Sequence, residues 1–99
     1  MTGAVIYLSG PMTGLPVLNR PLFAQTAQAL RSRGLVVVSP HELCRPSWGY
    51  WRCLAVDLWH LCRCDAIYLL PGWVDSRGAR IERALALLLG HHVHVAPTP

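Results

Sequence analysis

The sequence predicts an α/β domain: a three-layer, doubly wound sandwich built on a parallel sheet of four to five strands. Three observations support this. Short strand-like runs alternate with helical ones along the whole chain. Those runs are continuously apolar, as in strands covered on both faces, and do not alternate apolar with polar. Two of the three helical stretches end at glycines, Gly34 and Gly90, where a left-handed residue closes the last turn.

Taken in order, Ala4 to Ser9 reads as a buried strand that runs into the turn-rich Gly10-Pro11-Met12-Thr13-Gly14. Pro21 to Arg33 has helical spacing, with Phe23, Ala27 and Leu30 on one face. Leu35 to Val38 is a second strand, closed by Ser39-Pro40, and His41 to Gly49 is irregular. Tyr50 to Cys62 reads as a helix, Ala66 to Leu70 as the third strand, Arg77 to Leu89 as a helix and His92 to Ala96 as the last strand. Right-handed crossovers then leave a flavodoxin-like or Rossmann-like sheet as the expected topology. The 99 residues form one expected domain, 1–99, with no repeat or linker.

Composition narrows the function classes. The chain is 53% hydrophobic and 14% charged. A monomer this small has too much apolar surface to hide, and a homo-oligomer (dimer or higher) is expected. No apolar run reaches the roughly 18 residues of a bilayer span, which argues against a membrane partner. The start lacks the basic region and cleavage site of a signal peptide, so a cytoplasmic location is expected. The net charge of +4 comes from nine arginines and no lysine. GC-rich coding explains that without function; recognition of a small anion is the functional reading. The arginines are scattered, which argues against a surface for polymeric nucleic acid.

Cys44, Cys53, Cys62 and Cys64 form no CxxC pair and read as buried thiols, with no disulfide expected in a reducing compartment. His91, His92 and His94 read as structural or surface residues. No metal or cofactor is expected.

The chemistry gathers in two loops and two helices. Gly10 to Gly14 follows the first strand at the sheet's carboxyl edge, where open α/β sheets bind ligands. Its glycines and hydroxyl suit phosphate or sugar hydroxyls, although a plain turn fits equally well. The segment Gly72 to Glu82 follows the third strand and opens a helix, carrying Trp73, Ser76, Arg77 and Gly78. Glu82 interrupts an Ala/Leu/Ile stretch. It is either a nucleophilic carboxylate, ionised with help from the helix N-terminus, or a solvent-facing partner of Arg80 or Arg83. Asp57 shares a helical face with Leu54 and Leu61, at the face's edge or aimed into a cleft. Asp65 reads as a turn residue. Trp48, Trp51 and Trp73 are candidates for stacking on a base, with core or interface packing as the alternative; Trp73 has the best case because it lies in the site loop.

Three motifs occur together and in order: Tyr7-Leu8-Ser9-Gly10-Pro11-Met12, the Asp57 helix running into Cys64-Asp65-Ala66, and Ser76-x-Gly78-x-x-x-Glu82. In these the chain resembles the nucleoside 2-deoxyribosyltransferase-like proteins, most closely their short bacterial and phage branch, over nearly its whole length. The resemblance implies cleavage of the N-glycosidic bond of 2'-deoxynucleosides or their 5'-monophosphates, with transfer to a base or to water. It implies Glu82 as nucleophile, Asp57 as acid/base carboxylate and Tyr7 as the residue orienting Glu82. Ser9, Gly10, Pro11, Met12, Thr13, Trp73, Ser76, Arg77 and Gly78 would bind substrate. Such retaining chemistry uses two carboxylates about 5 Å apart. The family's transferases carry an aspartate where this chain has Ser76, whereas its nucleotide hydrolases carry a serine that contacts the 5'-phosphate. Asp75 is adjacent, so a shift of one residue would reverse that inference. Family sites are often completed by a neighbouring subunit near the C-terminus. The alternative is a nucleotide-binding or sensor module without turnover on the same fold. A dinucleotide-binding enzyme is disfavoured by the absence of GxGxxG.

Overall fold

A computed structural model describes residues 4–12, 14–45 and 47–97. Four parallel strands, β1 (Val5–Ser9), β2 (Val36–Val38), β3 (Ala66–Leu69) and β4 (His92–Val95), form one sheet in the order β2-β1-β3-β4. The helices are α1 (Arg20–Arg31), a short α2 (Pro40–Leu43), α3 (Tyr50–Cys62) and α4 (Arg77–Leu88). The predicted doubly wound sandwich is what the chain forms, with the four strands at the lower end of the expected range. Part of the segment predicted to be irregular is helical: Pro40 fits the first turn of α2, where its missing N–H costs nothing.

Apolar side chains on both faces of the strands make two cores, one on each side of the sheet. On one side Phe23, Ala27 and Leu30 of α1 pack on Leu8, Val37 and Leu70. On the other, Leu61 of α3 and Ala86 of α4 pack on Tyr7, Ile67 and Leu69. Successive strand residues face opposite ways, so Tyr7 and Ser9 point together toward α3 and α4 while Leu8 points to α1. The order places β1 and β3 side by side, with their following connections leaving on opposite sides. That switch point opens a crevice at the carboxyl ends of the strands.

Two glycines shape the crevice. A Cβ on Gly10 would lie 2.8 Å from the Leu70 Cβ. Only glycine therefore lets β1 leave the sheet beside β3. Gly72 adopts a left-handed backbone (φ +87°) and sits against the Pro11 ring, bringing the two loops together.

The cysteine expectation is corrected. Cys44 and Cys53 form a disulfide, with their Cα atoms 5.4 Å apart. The α2–α3 connection turns back and brings the two within bridging reach. Cys62 is a free exposed thiol and Cys64 a buried one. Asp65 does more than turn the chain: its carboxylate accepts the Val5 N–H at 2.9 Å, tying the start of β1 to β3. Among the described residues no group of histidines, cysteines and acids is arranged to hold a metal ion, and no helix is long and apolar enough to cross a membrane.

Candidate active site

The crevice is a cavity of about 610 Å³ lined by the β1 loop, the β3 loop, and the facing sides of α3 and α4. Its floor comes from three elements with matching periods. α4 buries Ala79, Glu82 and Ala86, one stripe at helical spacing, so Glu82 stands on the face turned to the sheet. α3 buries Leu54, Asp57 and Leu61 in the same way. β1 sends Tyr7 and Ser9 up from below. The alternative of a solvent-facing Glu82 is therefore excluded, since the residue is only 5% exposed.

Glu82 is held at both oxygens. The Tyr7 hydroxyl donates to Oε2 at 2.6 Å and the Ser9 hydroxyl donates to Oε1 at 2.7 Å. Charge-assisted hydrogen bonds this short fix the carboxylate in one rotamer and favour its ionised form. Burial works against them and prevails, pushing the Glu82 carboxyl up to about 7. The helix N-terminus lies more than a turn away and does not offset that cost. Ser9, read from the resemblance as a substrate contact, is fully buried and does not line the cavity; its hydroxyl anchors Glu82.

Asp57 lines the same cavity and is buried, and its Oδ1 has no hydrogen-bond partner. A buried acceptor without a partner costs on the order of 1–3 kcal/mol. A bound molecule that offers a donor, or a proton on the carboxyl itself, relieves that cost. Burial first, and then the nearby Glu82 charge, push the Asp57 carboxyl up to about 8; the Tyr7 hydroxyl pulls the other way. The Tyr7 phenol is itself pushed well above its ordinary range, by burial and then by the charge of Glu82, so it remains a donor. Both carboxyls are thus raised toward neutral pH, and the two titrate as a coupled pair.

The mouth of the cavity is built differently. Ser76 caps α4, its hydroxyl oxygen accepting the Ala79 N–H at 3.2 Å. That leaves the hydroxyl proton free to donate outward. Asp75, Ser76, Arg77 and Gly78 all line the cavity, as do Gly10, Pro11 and Met12 from the β1 loop. Thr13 lies outside the described residues. Trp73 does not line the cavity: it packs against the core beneath α4, with the Arg83 guanidinium over its ring at 5.2 Å. Trp51 is exposed, and Trp48 carries the Arg52 guanidinium. Sequence reasoning missed Tyr50, Cys53, Leu54 and Pro40 in the wall. The helical phase of Asp57 was the available signal for Cys53 and Leu54, which lie one turn before it.

The family model described as a domain of unknown function, DUF4406, matches residues 4–95. The chain belongs to that family. No curated protein matches this DUF4406 member. Among solved structures it is similar to the 2-deoxyribosyltransferase of Bacillus psychrosaccharolyticus, with a TM-score of 0.73 and 27% identity over 93% of this chain and 71% of that one. It is also similar to the 2-deoxyribosyltransferase of Leishmania mexicana, with a TM-score of 0.77 and 18% identity over 97% of this chain. The DUF4406 chain spans 65% of the length of the Leishmania protein. The sheet and its helices are thus the deoxyribosyltransferase fold.

Proposed function

We propose that this DUF4406 protein cleaves the N-glycosidic bond of 2'-deoxynucleoside 5'-monophosphates or 2'-deoxynucleosides through a covalent deoxyribosyl ester on Glu82. The observation that carries this reading is the convergence of Glu82 and Asp57 in one cavity, one carboxyl anchored at both oxygens and the other left with an unpartnered oxygen. In the first step an ionised Glu82 oxygen bonds to C1' as the bond from C1' to the base nitrogen breaks. Asp57 gives its proton to the departing base. In the second step ionised Asp57 takes a proton from a water or from an acceptor base. That acceptor then displaces Glu82 from C1' and regenerates both carboxyls. Two displacements retain configuration at C1'.

Tyr7 and Ser9 keep the attacking oxygens in place and stabilise the charge before attack. The fold shared with two 2-deoxyribosyltransferases supports the reading. A helix N-terminus flanked by Ser76 and Arg77 supports a 5'-phosphate on the donor. α4 acts as a ruler here: Ser76 and Glu82 are six residues apart, or about 9 Å along the axis, and the Glu82 side chain leans back toward the N-terminus. The remaining gap has the scale of a deoxyribose ring with its exocyclic arm. Self-association and a cytoplasmic location accompany the proposal, on the composition argued above.

The test is incubation with the four common 2'-deoxynucleosides and their 5'-monophosphates, with and without an acceptor base, for wild type and Glu82→Ala. Free base is measured by chromatography and the deoxyribosyl adduct by intact mass. Base release lost in the variant supports the reaction. Binding of nucleotide without release from any donor replaces it with the binding-module reading.

A further inference from the structure

The mouth of the cavity holds an arrangement that neither the motifs nor the reaction accounts for. Tyr50, the first residue of α3, lines the cavity opposite the first turn of α4, and its hydroxyl lies 3.4 Å from where a Cβ on Gly78 would stand. Arg77, the first residue of α4, is folded back across the gap with its guanidinium over the rings of Tyr50, at 5.3 Å, and Trp51, at 5.1 Å. Tyr50 and Trp51 are themselves packed edge to face, at 4.9 Å. Stacking occupies the faces of the guanidinium and leaves its N–H edge free to hydrogen-bond. The two helix starts are thus latched together by one cation held on two aromatic rings. Behind the latch, the Cys44–Cys53 disulfide ties α3 to the segment before it, three residues after Tyr50.

We propose that Tyr50 is a specificity-determining residue that reads the 5'-phosphate of the substrate, its hydroxyl donating to a phosphate oxygen that the Arg77 edge and the outward Ser76 proton also reach. The proposal rests on the reading above that the cavity takes a deoxyribosyl donor. It goes further by assigning phosphate selection to α3. Tyr50, Ser76 and Arg77, donors from two helices, all line this one mouth, and a hydrated dianion suits it better than a neutral base does. A second observation in the same cavity points to a ligand: the buried, unpartnered Asp57 Oδ1 below the mouth. Asp75 is the opposing element. Its carboxylate also lines the mouth, and in the absence of the Tyr50 and Arg77 donors it would favour a 5'-hydroxyl, which can donate to it, over a phosphate.

The experiment compares wild type, Tyr50→Phe and Asp75→Asn. The phenylalanine keeps the ring, and with it the seat of Arg77, and removes only the hydroxyl. Its readout is the ratio of kcat/KM for each 5'-monophosphate to that for the matching nucleoside. Tyr50→Phe is expected to lower the ratio about tenfold or more, as loss of one hydrogen bond to a charged group does, and Asp75→Asn to raise it. In parallel, the affinities of 2'-deoxyadenosine 5'-monophosphate and 2'-deoxyadenosine are measured by calorimetry on Glu82→Gln, with and without Tyr50→Phe, so that the result does not depend on turnover. A monophosphate preference that Tyr50→Phe removes in the binding arm, with no base released by wild type, sustains the phosphate reader and overturns the reaction. An unchanged ratio in active Tyr50→Phe, or a wild-type preference for the free nucleoside, overturns the phosphate reader and leaves the reaction standing. Failure of Glu82→Gln to bind either compound overturns both.

Discussion

The floor and the mouth of the cavity are built on opposite principles. At the floor, Tyr7 and Ser9 are 0% exposed, Glu82 5% and Asp57 8%, and every side chain is fixed by the period of the element that carries it. At the mouth, Tyr50 is 40% exposed, Arg77 lies open to water, and position is set by stacking across two helix starts. Desolvation at the floor raises carboxyl pKa values and lets one site hold an acid and a nucleophile at neutral pH. Solvent at the mouth keeps a phosphate hydrated and limits the strength of each contact. Changes at the floor should therefore act on turnover, and changes at the mouth on selection.

The largest effect that separates the two regions is expected from Glu82→Ala. It should lower kcat on the order of 10³-fold or more while donor affinity changes little. Asp57→Asn should follow at about 10²- to 10⁴-fold, and should be rescued in part by donors whose base leaves without protonation. Steady-state kinetics with parallel binding measurements check both. A fall in affinity that matches the fall in rate would merge floor and mouth into one binding surface and erase the distinction.

The two regions also differ in how far the sequence discloses them. The floor follows from periodicity. Phe23, Ala27 and Leu30 fix the phase of α1, and Leu54, Asp57 and Leu61 fix that of α3. Two-residue alternation in β1 places Tyr7 with Ser9. A lone glutamate in the phase of Ala79 and Ala86 is readable as an inward one, although its hydrogen-bond partners are not, because they belong to a strand 73 and 75 residues away. The mouth has no period. It depends on the turn of the Cys44 to Gly49 segment, on a disulfide whose spacing resembles no motif, and on arginines that choose aromatic partners in three dimensions. Trp73 shows the limit from the other side: its place in the site loop points to the ligand, yet the 3₁₀ turn Trp73–Asp75 rotates its ring onto the core.

The disulfide probes the boundary between floor and mouth, with an effect of intermediate size. It joins residues with a sequence separation of 9. For a loop this short, closure entropy predicts a stabilisation of about 2–3 kcal/mol. Cys44→Ser or reduction by a dithiol is expected to lower Tm by about 10 °C or more in a domain of this length. The kinetic consequence should fall on the mouth, as a weaker monophosphate preference with kcat retained. Loss of kcat on reduction would mean that Cys53 supports Asp57, one turn further along α3, more than it supports Tyr50.

With a 2'-deoxynucleoside as donor, which carries no titrating phosphate, the pH dependence tests the floor alone. The reaction needs Glu82 without its proton and Asp57 with its own. kcat/KM is therefore expected to rise toward about pH 7 as Glu82 ionises, and to fall above about pH 8 as Asp57 deprotonates. Tyr7→Phe removes a donor that favours ionised Glu82, so the acidic limb should move to higher pH. A profile flat from about pH 5 to about pH 9 would mean that neither group titrates in the reaction.

The smallest effect expected is on stability, and its sign follows from proton linkage. Folding raises the carboxyls of Asp57 and Glu82 to about 8 and about 7, so between the ordinary carboxylate range and those values the folded chain holds protons that the unfolded chain has released. Their contribution is fully present below about pH 4. It declines as pH rises through the folded values and is flat above about pH 8. Asp57→Asn carries no proton to lose and removes one of the two slopes. Its Tm relative to wild type should therefore climb between about pH 5 and about pH 8, by an amount equivalent to about 1–3 kcal/mol once the water reaching Asp57 through the open cavity is discounted. The same variant is expected to be nearly inactive, so stability gained and turnover lost would meet at one side chain. A difference in Tm that stays constant across this range would show Asp57 to be ionised throughout. That would take the acid away from the leaving base and leave the floor with two nucleophiles and no proton donor.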